Sequence, residues 1–269
     1  MNIHVYGCGS PIRIPTMQDV ADGITGSRFF VEPNPVFRGS TSVVWGLIRG
    51  AKEIMKSCQN LGFPFYQVDN AYFGREEYYR ISKNDIQLNR SLPFTAGERL
   101  YAMQRRMKFN IHDWQERRGS RILICLSTPM LFEYHGIDRS RWLENVITEL
   151  RRHTDRPIFV REKQVSGIDA EILDSWIVVT HSSAASLDAL RLGVPVVTTG
   201  RCPAKGLSTD IAHVETPNLT GDRYKLFCDL SWHQYTREEF KSGFAWKLFS
   251  DIYGDGHFGA NGVSYEEGA

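Results

Sequence analysis

The order of segments over residues 122–198 constrains the fold of this chain more than any other feature. Ile122 to Leu126 is a strand-prone run, followed by a loop from Ser127 to Asp138, a helical pattern from Arg141 to His153, and a second strand-prone run from Ile158 to Arg161. The order then repeats, with a strand from Trp176 to Thr180, a helix from Ser183 to Leu192 and a strand from Val194 to Thr198. Strands joined through helices run parallel, and a parallel sheet is covered on both faces. The β-branched pairs Val178-Val179 and Val196-Val197 suit such doubly buried strands. An α/β domain follows.

Upstream the signals are less regular. Ile3 to Tyr6 is a short strand leading into Gly7-Cys8-Gly9-Ser10-Pro11, a weak nucleotide-loop signal that lacks a third glycine; Pro11, Pro15 and Gly23 are expected to prevent a helix directly after it. Ser42 to Asn60 reads as one helix, with Val43, Val44, Leu47, Ile48, Ala51, Ile54 and Met55 at helical spacing, stopped by Gly62. Phe63 to Val68 is a strand ending at Asp69-Asn70, which places Asp69 where open α/β sheets bind their ligands. Tyr78 to Ile81 is a further short strand, and Arg90 to Gln115 has no clear period. Tyr224 to Tyr253 is helical with a break near Ser231 to Tyr235. The expected organisation is an α/β domain over residues 1–115, a second over 116–225, C-terminal helices over 226–253 packing back on the first, and a loose tail over 254–269.

Net charge is +1 and no apolar run approaches the roughly 20 residues that cross a bilayer, so a cytoplasmic protein without a membrane span is expected, in a host cell if viral. The five cysteines show neither paired spacing nor a CxxC motif, which argues against a disulfide frame and a zinc site. No HExxH or DxD pattern is present, so no metal is expected. A GxSxG elbow is also missing, which excludes that class of serine hydrolase. Basic residues cluster at Arg99 to Lys108, Arg117 to Arg121 and Arg151 to Lys163; solvated helix faces account for most such clusters.

The sharpest chemical signal is Thr180-His181-Ser182-Ser183 between an apolar strand and a helix. First-turn amides and the helix dipole favour an anion there, with the Ser182 and Ser183 hydroxyls as further donors, although N-capping is the simpler account. Arg161 and Lys163 leave the neighbouring strand on the same sheet edge, and two cations beside a helix start suit a diphosphate. Asp188, one turn on, is placed to meet a ribose hydroxyl, and His181 is either part of the site or a buried, hydrogen-bonded histidine. In the first domain Asp69 is the candidate general base, while Arg75 and Tyr72 are candidate acceptor contacts, with turn, solvent and core-packing roles as the alternatives.

These residues resemble the donor-binding half of GT-B glycosyltransferases, particularly those related to capsular-polysaccharide and Kdo transferases. The resemblance rests on Arg161 and Lys163 after a strand, His181-Ser182-Ser183, Asp188-Ala189-Leu190 and Gly193-Val194-Pro195. In that family the position of Asp188 more often holds Glu. The resemblance implies a compact GT-B fold of two Rossmann-like domains facing across a cleft and a nucleotide-sugar donor, a UDP-sugar being the expected form. Donor binding would fall to Arg161, Lys163, His181, Ser182, Ser183 and Asp188. The phrases Trp45-Gly46-Leu47, Asp69 to Arg75 and Gln234-Tyr235-Thr236 also look like phage proteins, some of them suspected DNA-modifying glycosyltransferases. That second resemblance implies a 5-hydroxymethylpyrimidine acceptor in double-stranded DNA; a capsular or cell-envelope glycan acceptor and a non-catalytic nucleotide- or glycan-binding module are the alternatives.

Overall fold

In chain order the computed structural model contains β1 (Ile3–Tyr6), α1 (Ile14–Asp22), β2 (Arg28–Phe30), β3 (Thr41–Trp45), α2 (Ala51–Leu61), β4 (Phe65–Asn70), β5 (Tyr79–Lys83) and α3 (Glu98–Met107). There follow β6 (Arg121–Cys125), α4 (Pro129–Tyr134), α5 (Arg139–Leu150), β7 (Ile158–Arg161), α6 (Asp169–Leu173), β8 (Ser175–Thr180), α7 (Ala185–Arg191) and β9 (Val196–Thr198). The chain closes with α8 (Arg223–Ser231), β10 (Gln234–Tyr235), α9 (Arg237–Lys241) and α10 (Phe244–Tyr253). The structure describes residues 2–7, 11–75, 77–88, 97–116, 119–162 and 167–254. Lys163 and the expected loose tail beyond Gly254 lie outside them.

Two units emerge, one made of the residues up to Ile86 with those from Trp232 onward, the other of Gln87–Ser231. In the first unit a sheet of order β10-β5-β4-β3-β1-β2 is parallel across β4, β3, β1 and β2, while β5 and β10 are antiparallel additions. Ile3 and Val5 of β1, Val43 of β3, Tyr66 and Val68 of β4 and Tyr235 of β10 face Met17 and Val20 of α1 and Trp246 and Phe249 of α10 in one core. The indole of Trp246 donates to the Val20 carbonyl at 3.2 Å, and Arg237 of α9 pairs with Asp19 of α1 at 2.6 Å. The helices after residue 236 thus seal the first unit, and the break between α8 and α9 is the strand β10.

Three sequence expectations change here. A helix does follow the Gly7 turn: Pro15 sits in the first turn of α1, where its missing N–H has no intrahelical acceptor to lose, and Gly23 caps the end. The single helix expected over Ser42 to Asn60 is β3 followed by α2. Thr41–Trp45 is buried on both faces of a parallel sheet, and a short apolar run of that kind carries no alternation to distinguish it from a buried helix. Finally, the units meet after Ile86 and not near Trp114. Residues 98–115 pack on the second unit, where His112 N–H donates to Arg191 O (2.8 Å), Gln115 N–H to Gly193 O (3.0 Å) and Arg99 to Ser231 O (2.7 Å).

The second unit holds the fully parallel sheet β7-β6-β8-β9. Ile122, Ile124, Ile177, Val179 and Val197 pack under Phe132, Trp142, Val146 and Leu150 of α4 and α5. Each such side chain, fully buried, stabilises by roughly 1.5–3 kcal/mol before the entropy of ordering is subtracted. The strand and helix ranges read from residues 122–198 recur with small shifts, with α4 and α6 as additions inside the expected loops. Both units are therefore mixed α/β with parallel-dominated sheets. No helix among the described residues is long and apolar enough to cross a membrane.

Candidate functional site

In the second unit the chain leaves β6 for β7 on one side and later places β8 on the other side of β6. The carboxyl ends of β6 and β8 form the point where the winding reverses, the position at which open parallel sheets leave a crevice. Two loops flank it, Leu126–Thr128 and His181–Ala184. Thr180 Oγ1 donates to Cys125 O at 2.6 Å and accepts from Ser183 N–H at 3.2 Å, locking one loop to the other strand. Ser182 N–H reaches Ser127 Oγ at 3.5 Å, and Ser183 Oγ accepts from Ala185 N–H at 3.3 Å.

The hydroxyl-rich turn therefore satisfies most of its own amides. Ser182 is buried, and Ser183 is half-buried, its Oγ accepting from the first N–H of α7, which has seven residues. A helix so short carries a weak dipole. The Ala184 N–H has no acceptor among the described residues and is the first-turn donor left for an external anion.

His181 is buried against an aromatic wall, with ring centroids 5.2 Å from Phe132, 5.5 Å from His135 and 6.1 Å from Trp142. Its Nδ1 lies 2.9 Å from Ser182 Oγ. Burial, and next the nearby His135, pull its pKa down to about 4, so the ring is neutral near pH 7. A Cβ at Gly200 would come within 2.4 Å of the ring, so the glycine is what lets the loop after β9 close over it. That loop is tied in by Thr199 N–H to Thr180 O (3.1 Å), Gly200 N–H to His181 O (2.8 Å) and Trp142 Nε1 to Thr199 Oγ1 (2.8 Å).

Arg161 ends β7, two strands away from β8, and is buried; its Nε donates to Glu171 of α6 at 2.7 Å. The guanidinium is thus engaged in an internal ion pair. Asp188 is half-buried in the first turn of α7. Burial pushes the Cys125 thiol up to about 12; Arg161 opposes that shift, while Glu171 and Asp188 reinforce it, which places these charges around one strand end. Much of the basic cluster over residues 151–163 is likewise spent internally. Arg156 pairs with Glu215 at 3.0 Å and lies 3.8 Å over Trp176, and Arg152 pairs with Glu149 at 2.6 Å.

The remaining candidates belong to the first unit, at the carboxyl ends of β1, β3 and β4. Asp69 is the penultimate residue of β4, with Oδ2 accepting from Arg80 (3.1 Å) and Oδ1 from Asn70 N–H (2.7 Å). Arg80 also lies 4.7 Å over the ring of Tyr72, which is buried, and Arg75 donates to Tyr72 O at 3.3 Å. Arg13 completes the edge, 4.6 Å over Trp45 and donating to Asn70 Oδ1 at 3.0 Å. Asp69, Tyr72 and Arg75 are thus neighbours in one cation–aromatic cluster. Sequence reasoning missed Arg13, which reaches this edge from the start of α1, and the pairing of Arg80 of β5 with Asp69.

A cavity of about 600 Å³ in the second unit was also missed. It lies between the loop after β9 and α8, and its polar lining is Arg201, Lys205, Asp222, Lys225 and Asp229. The signal was present in Thr198-Thr199-Gly200-Arg201, another strand end followed by a glycine turn. Among the described residues no group of three or more His, Cys, Asp or Glu side chains gathers as a metal ligand set.

No protein-family model matches the sequence, and no curated protein does either. Two solved structures share the fold. One is the β-Kdo 2,4-transferase of KpsC from Thermosulfurimonas dismutans, 11% identical, aligned over 88% of this chain and 92% of that one with a TM-score of 0.52. The other is the β-Kdo 2,7-transferase of KpsC from the same organism, 14% identical, over 91% and 99% with a TM-score of 0.53. The resemblance to Kdo-transferase-like proteins carried by residues 161–195 is thereby matched in fold across both units. Neither structure is of a DNA-modifying enzyme, and the DNA acceptor expected from the vaguer resemblance has no support here.

Proposed function

We propose that the chain is a glycosyltransferase that moves a sugar from a nucleotide-sugar to a hydroxyl of a capsular or cell-envelope glycan. The observation that carries this reading is the likeness of fold to two Kdo transferases over a larger share of the chain than either unit contains. The reversal point between β6 and β8, which is where such a fold receives a ligand, supports it.

In the reaction the acceptor oxygen bonds to the anomeric carbon, the bond from that carbon to the donor phosphate breaks, and the nucleotide leaves with the electron pair. The acceptor proton must pass to a base, and charge develops on the leaving phosphate. The donor lies along the carboxyl edge of the second unit, against Ser183 and the Ala184 amide, with the neutral His181 ring fixing the wall behind them. Asp188 is retained for a sugar hydroxyl. Arg161, paired with Glu171, is given the part of holding β7 and α6 together. On the acceptor side Asp69 is the proposed base, oriented by Arg80, with Tyr72 and Arg75 beside it.

The test is a panel of nucleotide-sugars offered with capsular oligosaccharide fragments and, separately, with hydroxymethylated duplex DNA, read by nucleotide release and acceptor mass. Nucleotide release with a glycan mass gain supports the reading. Donor binding without turnover would replace it with a non-catalytic module, and a mass gain on DNA alone would restore the nucleic-acid acceptor.

A further inference from the structure

We propose that the cavity between the loop after β9 and α8 is where the donor's phosphates bind, with Arg201 and Lys205 as their cationic partners; the inference rests on the nucleotide-sugar reading above. Four observations converge on it. The cavity, about 600 Å³, is of the size that takes a small organic ligand. It continues the carboxyl edge of the second unit, because Thr199 and Gly200 are hydrogen-bonded to Thr180 and His181 and Arg201 is the next residue. Its charges are unequal. Lys225 is paired with the buried Asp229 at 2.9 Å, and Asp222 Oδ1 accepts from the Lys225 amide at the start of α8, whereas Lys205 is exposed and makes no ion pair with a described carboxylate. Lys205 Nζ donates one of its three hydrogens to Thr198 O at 2.7 Å, which fixes the ammonium at the cavity wall with two donors left over.

The same geometry explains why the phosphates do not need the serine turn. There the amides of Ser182, Ser183 and Ala185 already have internal acceptors and Arg161 has Glu171, so a dianion would find few donors. At the cavity the donors are side chains held at a strand end, and Asp222 is positioned to accept from sugar or ribose hydroxyls. Leu207 and Leu226 supply the apolar wall.

The experiment uses the full chain and three probes, UDP, CMP and inorganic pyrophosphate, titrated calorimetrically against the native protein, Arg201→Ala/Lys205→Ala, and Lys205→Arg. The native chain is expected to bind at least one nucleotide, the double variant to lose about tenfold or more in affinity with an unchanged melting temperature, and Lys205→Arg to keep most of it. Pyrophosphate binding that falls in parallel assigns the loss to the phosphates. Equal nucleotide affinity in the native and double-variant proteins would overturn the cavity assignment and leave the transferase reading standing. Failure of the native chain to bind any nucleotide at millimolar concentration would overturn both.

Discussion

The carboxyl edges of the two sheets are built from opposite materials. In the second unit the edge at β6 and β8 consists of hydroxyls and backbone amides that bond one another around a neutral histidine. In the first unit it consists of guanidinium groups laid over aromatic rings, Arg13 on Trp45 and Arg80 on Tyr72, with one carboxylate and one amide between them. The first arrangement is built of uncharged groups that satisfy one another; the second is a charged surface with polarizable faces, the type that contacts sugars and anionic groups. Sharing a fold class, the two edges offer different chemistry to a ligand.

The largest effect is expected where the second unit holds residues that the sequence assigned to the first. Gly193 has φ +77° and a Cβ there would sit 1.9 Å from Asp113 O. Gly193→Ala adds left-handed backbone strain to that overlap, and should cost about 3 kcal/mol or more. Urea titration reads the loss, and limited proteolysis should cut the released stretch around 109–116. Unchanged stability would mean that this stretch does not belong to the second unit.

Acid should act on a buried histidine in each unit. His181 titrates at about 4 in the fold against an ordinary value of 6.5, so its contribution is complete above pH 6.5 and is lost as the pH falls towards 4, about 3 kcal/mol in all. His4 is also held neutral, by burial first and then by Arg28 and Arg38, and its ring nitrogens have no partner among the described residues. His181→Asn should therefore flatten only part of the decline in melting temperature between pH 6.5 and 4. A variant with the full native decline would show that the second unit contributes none of it.

On the first unit's edge, Asp69→Asn retains size and hydrogen bonding while removing the proton acceptor. Turnover should fall by about 10²-fold with donor affinity nearly intact. Initial rates at saturating donor measure it. A variant with near-native turnover would remove the base from this edge and leave Asp69 as a partner for Arg80.

The second unit was the more legible of the two for a physical reason. Its elements follow one another in sequence, so Ile122–Leu126, Arg141–His153 and Val178–Val179 announce strand, helix and strand by local pattern alone. The first unit draws β10 from residues 234–235 to pair with β5, a contact that no local period encodes. The Val43-Val44 run was misread because burial on both faces erases alternation. His181 and Ser183 stand out as candidates through the strand-to-helix turn alone. Glu171 as the partner of Arg161, and Arg80 as the partner of Asp69, depended on elements whose placement only the tertiary structure supplies.

The smallest effect separates capping from ligand binding at Ser183. Its Oγ accepts from Ala185 N–H at 3.3 Å, a long bond at the start of a seven-residue helix, so Ser183→Ala should lower stability by about 1 kcal/mol or less. A purely structural serine would show that loss with unchanged nucleotide affinity, because the Ala184 amide and the cations of the neighbouring cavity are left in place. A serine that also donates its hydroxyl hydrogen to the donor would show affinity falling severalfold, and Ser183→Thr, which keeps the hydroxyl, would restore it. Calorimetric titration of the three proteins, with melting temperatures measured in the same buffer, decides between the two. If Ser183→Ala binds nucleotide as the native chain does, the second unit's hydroxyl-rich turn is scaffold and the ligand-facing chemistry of that edge lies in the loop after β9.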